Sequence, residues 1–171
     1  MRFTNTNKLA LIVYSCFFTS LSPSVWAQKP DVHPIQVEAD QLDSQDATGI
    51  TRYTGNVIIS QGETQLRGDQ VEIQHPNRQL HTMTITGSPA LFKFHNPSQQ
   101  THITGHAQTI IYHTQQGQVQ LIGEAYLEQE NTHTIQGPKL VYDINNQTLN
   151  AGSTDQQTGR VIMTLTPQSD D

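Results

Sequence analysis

The sequence predicts an all-β protein made of stacked short antiparallel hairpins, on three observations. The first is an internal repeat. Thr54-Gly55-Asn56-Val57-Ile58-Ile59-Ser60-Gln61, then Leu66-Arg67-Gly68-Asp69-Gln70-Val71-Glu72-Ile73, has a second copy. That copy is Ile122-Gly123-Glu124-Ala125-Tyr126-Leu127-Glu128-Gln129, then Ile135-Gln136-Gly137-Pro138-Lys139-Leu140-Val141-Tyr142, displaced by 68 to 69 residues. Each copy runs glycine, strand, polar turn, an apolar residue two before a second glycine, and strand. Repetition of such a unit marks a stacked architecture. The second observation is apolar alternation with period two from residue 50 onward. The third is turn residues at close intervals, with no helical periodicity of useful length after residue 27.

Taken in order, Arg2 and Lys8 form a basic start and Leu9 to Phe18 an apolar run. Val25-Trp26-Ala27 is a small-residue cleavage pattern, so residues 1–27 read as a cleaved secretory signal peptide. Residues 28–167 then form one β domain, with a loose start over 28–33. Ile35-Gln36-Val37-Glu38 alternates and reads as a strand, while Asp40 to Thr48 is polar and turn-like. Val57 with Ile59, Val71 with Ile73, Met83 with Ile85, and Ala90 with Phe92 and Phe94 each share a face. So do Ile110 with Tyr112, Val119 with Leu121, Ala125 with Leu127, and Leu140 with Tyr142. Val161, Met163 and Leu165 form the last strand, and residues 168–171 a flexible tail. The turns are Gly62-Glu63, His75-Pro76-Asn77, Gly87-Ser88-Pro89, Asn96-Pro97-Ser98, Gln116-Gly117, Asn145-Asn146 and Ala151-Gly152.

The pairs Gly68/Gly87, Gly105/Gly123 and Gly137/Gly152 bracket further strand–turn–strand units, and glycines at strand edges mark bends between sheets. Two sheets with inward apolar faces make a sandwich or jelly roll. Some eight strands per sheet, about 4.8 Å apart, give a rod about 38 Å long. Hydrophobic residues are only 34% of the chain, which favours an elongated structure with an accessible interior over a thick core.

Loss of the leader leaves seven basic against fifteen acidic side chains, a net charge of −8. That excludes nucleic acid as a partner. The only cysteine, Cys16, departs with the leader. His102 and His106 stand four apart, which on a strand is ~13 Å, too far for one metal ion. Glu124, Glu128 and Glu130 fall at outward or turn positions. Neither a Gly-x-Ser-x-Gly elbow nor a phosphate-binding loop is present. The inward residues are aliphatic, Phe, Met or Tyr. The chain reads as a binder without cofactor, not an enzyme.

Several segments carry a resemblance to a known family. They are Pro34-Ile35-Gln36-Val37-Glu38-Ala39-Asp40, Tyr53-Thr54-Gly55-Asn56-Val57-Ile58-Ile59-Ser60-Gln61-Gly62, Gly105-His106-Ala107 with Tyr112, and Gly123-Glu124-Ala125-Tyr126-Leu127. In order and spacing, from about Pro34 to Pro167, they resemble the OstA-like family of lipopolysaccharide transport proteins. The resemblance implies an open, twisted β-jelly roll in the periplasm, with the lipid A acyl chains of lipopolysaccharide in an apolar trough. It implies head-to-tail self-association, an inner-membrane transport partner at the N-terminal edge and an outer-membrane translocon at the C-terminal edge. Ile35 and Phe92 match trough-lining positions of the family. The full inward set expected to meet acyl chains adds Val37, Tyr53, Val57, Ile59, Leu66, Val71, Ile73, Met83 and Ile85, and then Phe94, Ile110, Tyr112, Leu121, Leu127 and Leu140. Ile35–Glu38 and Arg160–Thr166 would supply the two unpaired edges for stacking.

Overall fold

Alternation continues through glycines and prolines that the sequence alone marks as breaks, so the strands are longer than short hairpins require. The computed structural model describes residues 33–45, 47–96, 100–130, 133–153 and 159–166; the leader 1–27 and the tail 168–171 lie outside them. The strands are β1 (Ile35–Glu38), β2 (Gln41–Gln45), β3 (Ile50–Gln61), β4 (Thr64–Gln74), β5 (Thr82–Asn96), β6 (Thr101–His113), β7 (Gln118–Gln129), β8 (His133–Asp143), β9 (Thr148–Gly152) and β10 (Ile162–Leu165). All pairings are antiparallel, in the order β1-β3-β4-β5-β6-β7-β8-β10, with β2 also on β3 and β9 also on β8.

Each ladder between the six long strands shifts register once near its middle. The shifts fall at Gly55-Asn56, Gly68-Asp69, Gly87-Ser88-Pro89, Ala107-Gln108 and Gly123-Glu124, with Pro138 in the last ladder. A bulge bends a strand and strengthens its twist. Pro lacks the ladder N–H and is confined to edges and bulges, which places Pro89 and Pro138 there. Gly87-Ser88-Pro89 is therefore a mid-strand bulge in β5, correcting the turn expected at that point. The repeat extends to the backbone at its first bulge: Gly55 and Gly123 have φ of +83° and +81°, and Asn56 and Glu124 have φ of +46° and +48°.

Bent along this line of bulges, the long strands contribute one half each to two layers. Layer one joins β1 (on residues 58–61 of β3) through to β10 (on residues 133–136 of β8). Layer two joins β2 (on residues 50–54 of β3) through to β9 (on residues 139–143 of β8). Each layer thus holds eight strand segments, as the rod length expected from sequence requires. Asp40 to Thr48, read as turn-like, contains β2. Its only apolar residue is Leu42, 61% exposed, so periodicity gave no sign of it; the free half of β3 supplies the pairing. Ala151-Gly152 likewise closes β9 instead of forming a turn.

The hairpin turns collect along the side opposite the bulges. The turn at 62–63 caps layer one, and turns at 75–81, 114–117 and 144–147 cap layer two. Among the described residues no backbone hydrogen bond joins one row of turns to the other; the sheet stays unclosed along this seam. Within a row, turns are tied to neighbours: His75 N–H to Gly49 O at 2.8 Å, Ile144 N–H to Gly117 O at 2.8 Å, and Glu130 N–H to His102 O at 2.9 Å.

Close packing at the bulges has a testable consequence. A Cβ placed on Gly68 would stand 2.6 Å from the Thr86 carbonyl oxygen. Gly68→Ala is expected to destabilise the fold by about 1–3 kcal/mol in urea unfolding, because backbone must shift to admit the methyl.

Candidate functional site

Bending brings the inward residues of both layers face to face. Of the seventeen positions expected from sequence, Val57, Ile59, Leu66, Val71, Ile73, Met83, Ile85, Phe92, Ile110, Tyr112, Leu121, Leu127 and Leu140 belong to one buried cluster. Ile35, Val37, Tyr53 and Phe94 are partly buried and pack against it. Layer-to-layer contact is explicit at two points near the seam. The Phe94 and Tyr142 ring centroids are 6.5 Å apart, and the Tyr112 hydroxyl donates to Gln61 Oε1 at 3.3 Å.

The central interior is tighter than the low apolar content suggested. Val71, Met83, Ile85, Ile110, Leu121 and Leu140 are all 0% exposed. The physical reason is that two eight-segment walls sharing the same strands close on each other when their side chains interdigitate. The interior opens instead at the C-terminal end. There a cavity of about 440 Å³ is lined by Leu127, Ile135, Leu149, Ala151, Val161 and Met163, with Gln129, Glu130 and His133. The last strand has no further layer segment to cover it, so Ile162, Met163 and Leu165 are 55–58% exposed.

Ala90, Val119, Ala125 and Tyr142, which alternation places on the shared faces but which the expected lipid-contact set leaves out, are buried. Ile103 and Ala107, also buried, escaped the sequence reading, as did Leu80, Ile135, Ile144 and Leu149, which pack against the cluster. Ile103 and Ala107 sit in a Thr101-Ile103-Gly105-Ala107 alternation that was legible but overshadowed by His102 and His106. Leu80, Ile144 and Leu149 are single apolar residues beside turns, where period two gives no signal. His102 and His106 lie on the outer face, His102 stacked on His95 at 3.9 Å and His106 on Tyr126 at 4.9 Å. Among the described residues no group of three His, Cys, Asp or Glu is placed to hold a metal.

Burial pushes the Tyr112 phenol above its ordinary 10.0. Burial and then the Asp143 charge do the same for Tyr142. A phenol raised in the folded state favours folding fully below the unfolded value. That stability drains away as pH climbs from the unfolded value through the raised folded one. The protein is expected to lose stability above about pH 10. The double substitution Tyr112→Phe and Tyr142→Phe should flatten that alkaline slope, read from urea midpoints between pH 8 and 11.

This geometry has close counterparts. The profile of the LptA/(LptD N-terminal domain) LPS transport protein family matches residues 36–148. The chain is 32% identical to the lipopolysaccharide export system protein LptH of Pseudomonas aeruginosa, over 99% of this chain and 94% of that protein. It is 29% identical to the lipopolysaccharide export system protein LptA of Escherichia coli K12, over 96% and 88%. The crystal structure of LptH, described as the LptA homologous periplasmic component of the lipopolysaccharide transport device of P. aeruginosa, superposes with a TM-score of 0.74. It covers 79% of this chain and 96% of that one, at 32% identity.

Proposed function

Because this chain belongs to the LptA/(LptD N-terminal domain) family of LPS transport proteins, we propose that it carries lipopolysaccharide between inner and outer membranes in the periplasm. Its acyl chains would lie between the two layers. The single observation that supports this most is the seam: one continuous apolar interior, walled by both layers and unbridged by backbone hydrogen bonds among the described residues.

The energetics favour such a shelter. A buried methylene is worth about 0.8 kcal/mol, so an acyl chain of ten costs on the order of 8 kcal/mol in water. An apolar interior removes most of that cost, and transfer between like interiors needs no large step. Direction must come from partners. In this reading the leader 1–27 exports the chain. An inner-membrane transport partner meets the β1/β2 edge and an outer-membrane translocon the β9/β10 edge. Copies join head to tail through these unpaired edges. Lipid entry would part the interdigitated layers, and the seventeen inward residues would then form the lipid-contacting wall; the protein acts as a carrier with no catalytic step.

Photocrosslinking in the cell envelope tests this. A photoreactive residue at Phe94, beside the seam, is expected to crosslink to lipopolysaccharide. One at Gln120, which faces outward and hydrogen-bonds His113 at 3.1 Å, is not. An exported, folded protein that crosslinks at neither position would reduce it to a stacked scaffold without lipid cargo.

A further inference from the structure

Phe92 and Phe94 point inward, so Lys93 and His95 point to the outer face of layer one. There a pocket of about 340 Å³ beside the seam is lined by Ser60, Gln65, Lys93, His95, His102 and Thr104. The ladder assembles it: Lys93 sits opposite both Gln65 and Thr104, and His95 opposite His102. The two imidazoles stack at 3.9 Å. The His95 Nδ1 is shut off from solvent and has no hydrogen-bond partner among the described residues. Buried polar atoms nearly always have one, so this imidazole is held at the pocket wall by stacking on His102 and not by hydrogen bonds among the described residues.

We propose that this pocket takes a phosphate monoester. Given the lipid-carrying role inferred above, on which this rests, the phosphate is that of the headgroup whose acyl chains enter the adjacent seam. The donors fit the chemistry. An ammonium, imidazole N–H groups, two hydroxyls and an amide converge, and a phosphate oxygen accepts from all of these types. The charge argument is independent. Without the leader the chain carries seven basic against fifteen acidic side chains, which repels a phosphorylated ligand unless a cation stands at the contact. Lys93 supplies it and makes no ion pair among the described residues, whereas Arg52 is already held by Glu72 at 2.9 Å. Glu63 is the carboxylate that also lines the pocket, and on β7 Glu128 stands opposite Thr104 with its carboxylate accepting from the Tyr126 hydroxyl at 3.1 Å. Glu63 opposes the phosphate, so the two charges give tests of opposite sign.

The experiment compares binding of bisphosphorylated lipid A, its dephosphorylated counterpart and inorganic phosphate to the exported chain, with the His95 and His102 imidazole signals followed by NMR. The phosphorylated lipid is expected to bind about tenfold more tightly than the dephosphorylated one and to shift both imidazoles. Lys93→Ala should erase that preference, Lys93→Arg should restore it, and Glu63→Gln should widen it. A merely structural role would not respond in both directions. Equal binding of the two lipids overturns the phosphate assignment while the carrier reading stands. Imidazole shifts with inorganic phosphate alone overturn the headgroup as its source. Binding of neither lipid overturns the carrier reading, and this inference with it.

Discussion

Phe92→Ala is expected to destabilise the protein by about 3–5 kcal/mol, the range for deleting a buried aromatic ring. Phe92 is 1% exposed. It stands between Leu66 and Gly105 in the ladders of layer one. Gly105 is itself bare because Leu121 from layer two reaches within 2.9 Å of where its Cβ would be. The ring thus fills the point where the walls meet, and neither wall can collapse into the space without dragging its long strands. Urea unfolding followed by circular dichroism measures the loss. A cost under about 1 kcal/mol would mean that the walls close readily around a void. Phe92→Glu would bury a carboxylate among apolar side chains and is expected not to fold at all. A charge aimed at lipid binding belongs at Ile35, which is only partly buried at the edge. Ile35→Asp is expected to fold and to lose acyl-chain crosslinking.

The second large effect concerns assembly. All four residues of β10 are exposed, and the strand touches the rest of the sheet through residues 133–136 of β8. Removing the chain from residue 159 onward therefore takes away little buried surface among the described residues 159–166, all of which are exposed. If copies join head to tail as proposed, the truncated chain is expected to run as a monomer in analytical ultracentrifugation, and the full chain is expected to form concentration-dependent oligomers. An unchanged oligomer distribution would place the contact elsewhere. A chain that no longer folds would show that β10 seals the 440 Å³ cavity more than its exposure suggests.

Much of this was legible beforehand. Period-two alternation assigned the inward face at Val57, Ile59, Val71, Ile73, Met83, Ile85 and Phe92 because each strand has one wet and one dry side. The repeat announced the stacking. What the sequence concealed was length. Glycine and proline read locally as a chain reversal at Gly87-Ser88-Pro89, yet there they are a bend within one strand, since the partner on either side continues through. The strand β2 was hidden for a different reason: its residues bury nothing, and pairing alone holds them. The outer-face pocket was equally invisible, because Lys93, His95 and His102 read as ordinary surface residues. Only the β5–β6 register puts His95 opposite His102 and Lys93 opposite Thr104.

The coincidence of backbone angles at Gly55-Asn56 and Gly123-Glu124 has a consequence for size. One copy of the repeat, from β3 to β6, advances each layer by four segments, about 19 Å at the usual spacing between strands. Its two ends have the same bent cross-section, so one module can abut another without adjustment. The protein is thus a ruler graduated in units of about 19 Å. A relative that gained or lost a module would span a wider or narrower gap with an unchanged bore, and distance would be encoded by copy number alone.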